Sequence, residues 1–220
     1  MNTRLLFAPV RLLYRGIRRA GIVDITCLMH LPANECRYRS RTSGYEIRSI
    51  DKAELKELIA SKRIPAAVGD PQDLSDGRRA LVTAFHENRV VSFTWFAKQA
   101  IDGKDNFSRT EHLGTSVDMP DGTAFVYNAW TAPEHRGKRL VAALLAYALK
   151  NRVAGAWSFL ASIDWTNHRS LRAFSFLGMS QLGTVIRFGR GPLQVSIVPT
   201  AARRLGLRIA EKEPGVKVAM

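Results

Sequence analysis

The sequence predicts a mixed α/β fold, and three observations carry that expectation. Short runs rich in β-branched and aromatic residues alternate with runs whose apolar residues recur every three or four positions. A helical pattern separates the strand-like stretches "FVYNAW" and "FLASID", which permits them to pair in parallel through a right-handed crossover. The 220 residues are 46% hydrophobic and 9% aromatic, enough to bury a sizeable core. The expected order is β-α-α-β-loop-β-α-β-α-β-β, a mixed sheet with helices on its faces.

Each element has a local reason. "CLMHL" (27–31) and "YEIRSI" (45–50) are short strands. "DKAELKELIASK" is a helix with Asp51 as its N-cap and Leu55 and Leu58 on its apolar face. Within "PQDLSDGRRALVTAFHENR" a second helix is expected from Ser75 or Asp76, with Leu81, Ala84 and Phe85 facing inward. "VVSFTWFA" (90–97) is a buried strand, and 98–122, punctuated by Gly103, Gly114, Pro120 and Gly122, is a long loop suited to a site wall. "TAFVYNAWTA" (123–132) is a strand. The helix after it carries a wide stripe of Leu140, Val141, Leu144, Leu145, Ala148 and Leu149, with Lys150 and Arg152 at its negative end and Gly155 as its stop. "WSFLASID" is the next strand, a helix starts near Asn167, and "SQLGTVIRF" and "LQVSIVP" form a closing hairpin.

The net charge of +14 points to anionic partners, and it is unevenly spread: +6 on 1–43, +5 on 44–199 and +3 on 200–220. That division suggests a basic N-terminal extension (1–43), a central domain (44–199) and a basic C-terminal tail (200–220). In the extension Leu6, Val10, Leu13 and Ile17 recur at helical spacing while Arg11, Arg15, Arg18 and Arg19 take another face, the pattern of an interfacial helix. Residues 1–20 therefore suit peripheral contact with a membrane, or packing on their own domain with a solvated basic face. No stretch has the roughly 18–20 continuous apolar residues of a membrane span. Two cysteines, Cys27 and Cys36, make no disulfide framework and no zinc or redox spacing, which fits a reducing cytoplasm. The five histidines are scattered, so no metal is expected. Nucleic acid is disfavoured too, since no helix-turn-helix, zinc finger or basic-aromatic alternation is present.

The chemistry-bearing stretch is "TAPEHRGKRLVAALL" (131–145), a strand-to-helix turn. The mouth of a helix presents unpaired N–H groups and positive potential, so it favours an anion. Arg136, Lys138 and Arg139 add formal charge there, and Gly137 allows close approach of the backbone. A diphosphate is the natural guest. The bland alternative is a helix start with basic side chains in water.

"VYNAWTAPEHRGKRLVAALL" followed by "SIDWTNHRSLRAFSFLGM" resembles the coenzyme A-binding half of the Gcn5-related N-acetyltransferase (GNAT) superfamily, over roughly 44–199. The resemblance implies a mixed, mostly antiparallel sheet with one parallel β-α-β unit and helices on both faces. It also implies a turn of the form Q/R-x-x-G-x-G/A whose amides hold the pyrophosphate. Carried over from that motif, Arg136, Gly137, Lys138, Arg139, Leu140 and Val141 would bind the diphosphate. Ala129, Trp130 and Thr131 would bind the pantetheine arm, and Asn167 and Phe174 complete the cofactor-binding set. Two departures stand out. Arg139 and Val141 occupy the family's glycine positions, and Phe174 stands where many members place a tyrosine that protonates the departing thiolate.

The implied activity is transfer of an acetyl or longer acyl group from acetyl-CoA or another acyl-CoA to a primary amine of a small-molecule acceptor. Asp164 and His168 are the candidate general bases, with Asp118, Glu111 and His112 in the long loop as further acids and imidazole. An acyl carrier protein as donor, or a non-catalytic module binding a membrane or another anionic partner, are the competing expectations.

Overall fold

The computed structural model describes residues 14, 16–17, 22–38, 43–108 and 110–220. In chain order its first elements are β1 (Val23–Pro32), β2 (Glu46–Ile50), α1 (Lys52–Ala60), β3 (Arg79–His86) and β4 (Arg89–Lys98). Two-residue strands β5 (Ala100–Ile101) and β6 (Val117–Asp118) punctuate the long loop, and then come β7 (Thr123–Thr131), α2 (Leu140–Lys150), β8 (Ser158–Asp164) and α3 (His168–Leu177). The chain closes with β9 (Ser180–Arg190), β10 (Leu193–Val198), α4 (Thr200–Arg204), β11 (Arg208–Ile209) and β12 (Val216–Ala219). Nine strands form one sheet in the order β12-β10-β9-β1-β8-β7-β4-β3-β2, and β11-β6-β5 form a small second sheet. Only β7–β8 and β10–β12 pair in parallel; the other neighbours in the large sheet are antiparallel. The fold is therefore the mixed, mostly antiparallel one expected.

Helices cover both faces. On one, Leu140, Leu144, Leu145 and Ala148 of α2 and Phe174 and Leu177 of α3 pack on Val82, Ala84, Phe96, Val126 and Phe159. On the other, Leu55 and Leu58 of α1 cover Leu81, Phe85 and Phe93, while Ile101, Val117, Ala202 and Ile209 cover Leu28, Phe125 and Leu160. Asp51 caps α1 as expected, its carboxylate accepting from Glu54 N–H at 2.8 Å.

The helix expected from Ser75 or Asp76 is instead strand β3. Its residues 81–85 are buried on both faces, so apart from Thr83 the run is apolar, and Leu81 and Phe85 mimic a helical spacing. Glu87 and Asn88, both left-handed (φ 49° and 63°), make the tight turn that returns β4 alongside. α2 ends at Lys150 rather than running on to Gly155; Asn151 caps it, its Nδ2 donating to the Tyr147 carbonyl at 2.8 Å.

Residues 200–220, read as a basic tail, instead form α4, β11 and β12, and β12 pairs with β10 from Val195↔Val216 to Val198↔Ala219. β1, within the stretch read as an extension, lies between β8 and β9. Most of the amphipathic pattern of residues 1–20 lies outside the described residues. Tyr14 is buried; its hydroxyl accepts from Ile25 N–H at 3.1 Å and its ring meets Trp165 edge-on at 5.1 Å. No described helix is long and apolar enough to cross a membrane.

The long loop is fastened from beneath by a buried cation. Arg187 of β9 is 1% exposed and donates to Ser196 Oγ at 3.1 Å, to the Gly114 carbonyl and to Gln194 Oε1. Glu213 takes the neighbouring Ser116 N–H (2.6 Å) and hydroxyl (2.8 Å). Arg187→Met strands those acceptors, and is expected to cost about 3 kcal/mol. In differential scanning calorimetry that is a fall in Tm of roughly 6–12 °C.

Candidate active site

The site begins where two strands part. β7 and β8 pair only through Thr123↔Ser158, Ala124↔Phe159 and Phe125↔Leu160, although β7 continues to Thr131 and β8 to Asp164. The edge of β7 beyond Phe125 that faces β8 has therefore lost its sheet partner. On its other edge β7 stays on β4, but with a bulge: Phe93 opposes Trp130 and Trp95 opposes Tyr127, so Asn128 and Ala129 together face Thr94. Asn128 takes φ 44°, a left-handed conformation that asparagine tolerates better than most residues. Its Nδ2 donates to the carbonyls of Ala67 (3.2 Å) and Val68 (3.3 Å), and Trp95 Nε1 also donates to Val68 at 2.6 Å.

A cleft of about 240 Å³ opens between the parted strands, with Asn128, Ala129, Ser162, Asp164, Asn167 and Phe174 among its lining. The loop residues Asn106, Phe107 and Ser108 roof it, and Ser108 Oγ donates to Asp164 Oδ2 at 3.0 Å.

β7 runs straight into the basic turn. A 3-10 turn, Pro133–His135, is followed by Gly137 at φ 81° with open space where a Cβ would be. Arg139, at the N-cap of α2, also lies in the left-handed region, at φ 59° and ψ 28°. Glycine serves this conformation most easily, so the backbone keeps the shape of a glycine position although the residue is arginine. The first intrahelical bond runs from Ala143 N–H to the Arg139 carbonyl at 3.1 Å, which leaves the N–H groups of Leu140, Val141 and Ala142 without an intrahelical acceptor. Arg136 Nε donates to the Thr131 carbonyl at 3.2 Å, tying the turn to the end of β7. The Arg139 guanidinium lies 4.2 Å from the Phe176 ring, and Lys138 Nζ 5.7 Å from the Tyr45 ring. Leu140 is buried, and Val141, half-buried, packs towards the core under α2.

The remaining sequence candidates divide. Ala129 lines the cleft, whereas Trp130 stacks on Phe93 (5.5 Å, 20°) and Thr131 Oγ1 is 2.8 Å from Ser92 Oγ. Asn167 caps α3, accepting from Ser170 N–H at 3.1 Å, and Phe174, largely buried in the core, is among the residues lining the cleft. Asp164 reaches the cleft with its oxygens engaged: Oδ1 accepts from Thr166 N–H (2.8 Å) and from its hydroxyl, Oδ2 from Ser108. His168 is the half-buried first residue of α3. Asp118 is paired with Arg208 at 3.1 Å, and Glu111 and His112 are exposed. Sequence reasoning missed Asn128, whose asparagine inside an otherwise strand-like run was a legible sign of a bulge. The loop expected to be a site wall does line the cleft, but through Asn106, Phe107 and Ser108, which sequence reasoning did not single out. Among the described residues no group of three or more His, Cys, Asp or Glu could hold a metal ion.

A charged cluster flanks the cleft behind Tyr127. Burial pushes the Tyr127 phenol far above the usual tyrosine range, only partly offset by Arg79, whose guanidinium lies 5.0 Å from the ring. Burial alone would lower Arg79, but Tyr127 and Asp105, the latter at 2.7 Å, outweigh it and leave its pKa raised. Asp73, the outer member, is raised by burial.

No family model and no curated protein matches the chain. Among solved structures it is similar to a GCN5-related N-acetyltransferase from Kribbella flavida, at 15% identity and a TM-score of 0.51, over 80% of this chain and 63% of that one. A GNAT-family structure from Novosphingobium aromaticivorans follows at 14% identity and 0.49, over 74% and 62%. An aminoglycoside N-acetyltransferase solved with CoA stands at 16% and 0.47, over 67% and 100%. The chain thus spans under two thirds of the length of the first two. The likeness is one of fold, to that of a GCN5-related N-acetyltransferase.

If the Asn128 bulge holds the strands apart, Asn128→Ala loses both the amide bonds and the tolerance for φ > 0, a destabilisation of about 2 kcal/mol in chemical denaturation. Asn128→Gly, which keeps the backbone conformation, is expected to lose about half as much.

Proposed function

We propose that the protein is an N-acyltransferase that moves an acetyl or longer acyl group from a coenzyme A thioester to a primary amine of a small-molecule acceptor. One observation carries this reading: an unpaired strand edge, a cleft and an anion-favouring helix mouth follow one another along β7 and its turn. Coenzyme A, when bound, supplies the acyl group as a thioester.

The chain's own residues then have separable tasks. The N–H groups at the entry of α2, with Arg136, Lys138 and Arg139, hold the diphosphate. The freed edge of β7 around Ala129 orients the pantetheine amides and offers an N–H to the developing oxyanion. Asp164 is the carboxylate among the residues lining the cleft. Ser108 is already hydrogen-bonded to it, so the amine's proton passes to Ser108 Oγ as the serine proton moves to Asp164. The amine nitrogen bonds to the acyl carbon as its bond to sulfur breaks. Phe174 cannot protonate the departing thiolate; a free thiol pKa of about 8.5 makes that loss tolerable.

An acyl carrier protein is the second reading of the donor, favoured by exposed Arg136, Lys138, Arg139 and Arg169 on α2's entry and α3. Thermal stabilisation by an acylated carrier protein but by no coenzyme A ester would select it.

Titration calorimetry with acetyl-CoA is expected to give saturable heat, weakened about tenfold or more by Arg136→Glu; no heat from any thioester donor rules the reading out. Asp164→Asn is expected to lower kcat by about 100-fold with little change in donor affinity. Phe174→Tyr, by restoring an acid at the sulfur, is expected to raise kcat by up to about tenfold in a thiol-release assay.

A further inference from the structure

We propose that a groove at the rim of the sheet, on the β4 side of the basic turn, is a phosphate-monoester site formed by Lys62, His86, Arg89 and His135. The groove holds about 330 Å³, and these four residues line it at the end of α1, the β3–β4 turn and the 3-10 turn before Arg136. It lies outside the cleft, and nothing in the acyl-transfer reading uses it.

Its donors are directed. The Tyr45 hydroxyl sits 2.9 Å from His135 Nδ1, and the His86 ring is 5.0 Å from that of His135, with Tyr45 also against His86 at 5.2 Å. With Tyr45 donating to Nδ1, the neutral His135 ring carries its proton on Nε2, the form that donates to an anion. Lys62 and Arg89 make no ion pair among the described residues. Arg63 is spent on structure: its guanidinium binds Glu57 (2.6 Å) and Asn88 (3.3 Å), and its carbonyl accepts from Val90 N–H (2.9 Å), locking the end of α1 to β4. The groove is therefore built in position by its second basic residue while the others stay available. Exposed Glu87 and Glu134 share the rim, so recognition rests on individual charge-assisted donors, with His135 held by Tyr45, more than on bulk charge.

A phosphate monoester fits this set, since a dianion with three acceptor oxygens satisfies a lysine, a guanidinium and imidazole N–H donors together. Its position beside His135, one residue before Arg136, offers two sources. One is the ribose phosphate of a donor whose diphosphate occupies the turn; the other is a phosphate on the acceptor amine. The first source rests on the coenzyme A reading and the second on acyl transfer to an amine, whereas the phosphate site itself needs only the groove.

The test begins with inorganic phosphate titrated into the full chain while the ring signals of His86 and His135 are followed by NMR. Saturable shifts, abolished in a folded Arg89→Glu variant, support the site; linear drift, or saturable shifts that survive both Arg89→Glu and Lys62→Glu, overturn it. Calorimetry with coenzyme A and dephospho-coenzyme A then separates the sources. A preference for coenzyme A of about tenfold that collapses in Arg89→Glu assigns the groove to the donor. Equal binding of the two, with phosphoethanolamine bound in preference to ethanolamine, assigns it to the acceptor. Saturable phosphate shifts with no binding of any coenzyme A ester or acylated carrier protein support the groove and sink the acyl-transfer reading.

Discussion

The separation of β7 from β8 after three paired positions is the constraint on which the rest of the molecule turns. Two parallel strands in the middle of a nine-stranded sheet would ordinarily stay together, because unpaired main-chain groups in an interior are costly. Here the bulge at Asn128 and Ala129 redirects β7 while leaving its pairing with β4 intact. The bulge is held from outside the strand by the carbonyls of Ala67 and Val68, which ties it to the connection after α1. The edges so exposed are polar, aligned and next to solvent, which is what an extended amide-bearing ligand requires.

The basic turn takes its geometry from the same strand. β7 delivers the chain to Thr131, Arg136 reaches back to that residue's carbonyl, and the helix starts at Arg139 with its first amides pointing outward. Arginine at a left-handed N-cap replaces bare backbone with a guanidinium resting on Phe176 of the facing helix. The turn thereby keeps the path of a glycine-bearing loop while gaining a charge and a contact between α2 and α3. Val141 has a similar outcome, since its branched side chain packs towards the core instead of standing over the free amides at the helix entry.

Much of the charge placed in the cleft region is structural. Arg79 is committed to Asp105 and Tyr127, Asp118 to Arg208, and Arg187 to three oxygen acceptors beneath the long loop. With these commitments made, Asp164, hydrogen-bonded to Ser108, is the carboxylate among the residues lining the cleft. The same commitments explain how a loop with little regular structure can roof a site. Arg187 and Glu213 anchor its far end from β9 and the C-terminal segment, and the Ser108–Asp164 bond fixes its near end.

Local chemistry made several elements legible in the sequence: the Asp51 cap, the apolar stripe of α2, the Asn167 cap of α3, and the strand-turn-helix passage around Arg136 and Gly137. Each depends on residues within one or two turns of one another. The strand identity of 79–86 was not legible, because a strand covered on both faces has no alternation to show. Nor was the place of β12, whose short run beside charged residues reads as solvated chain until β10 offers it a partner. The sequence alone determined where the basic strand-to-helix turn and the helix caps fall. Only tertiary structure decided that β7 and β8 part after three paired positions, that Ser108 crosses to Asp164 over 56 positions, and that Tyr45, His86 and His135 meet. These are contacts between distant segments, and pairing of that kind leaves no periodicity in the chain that makes it.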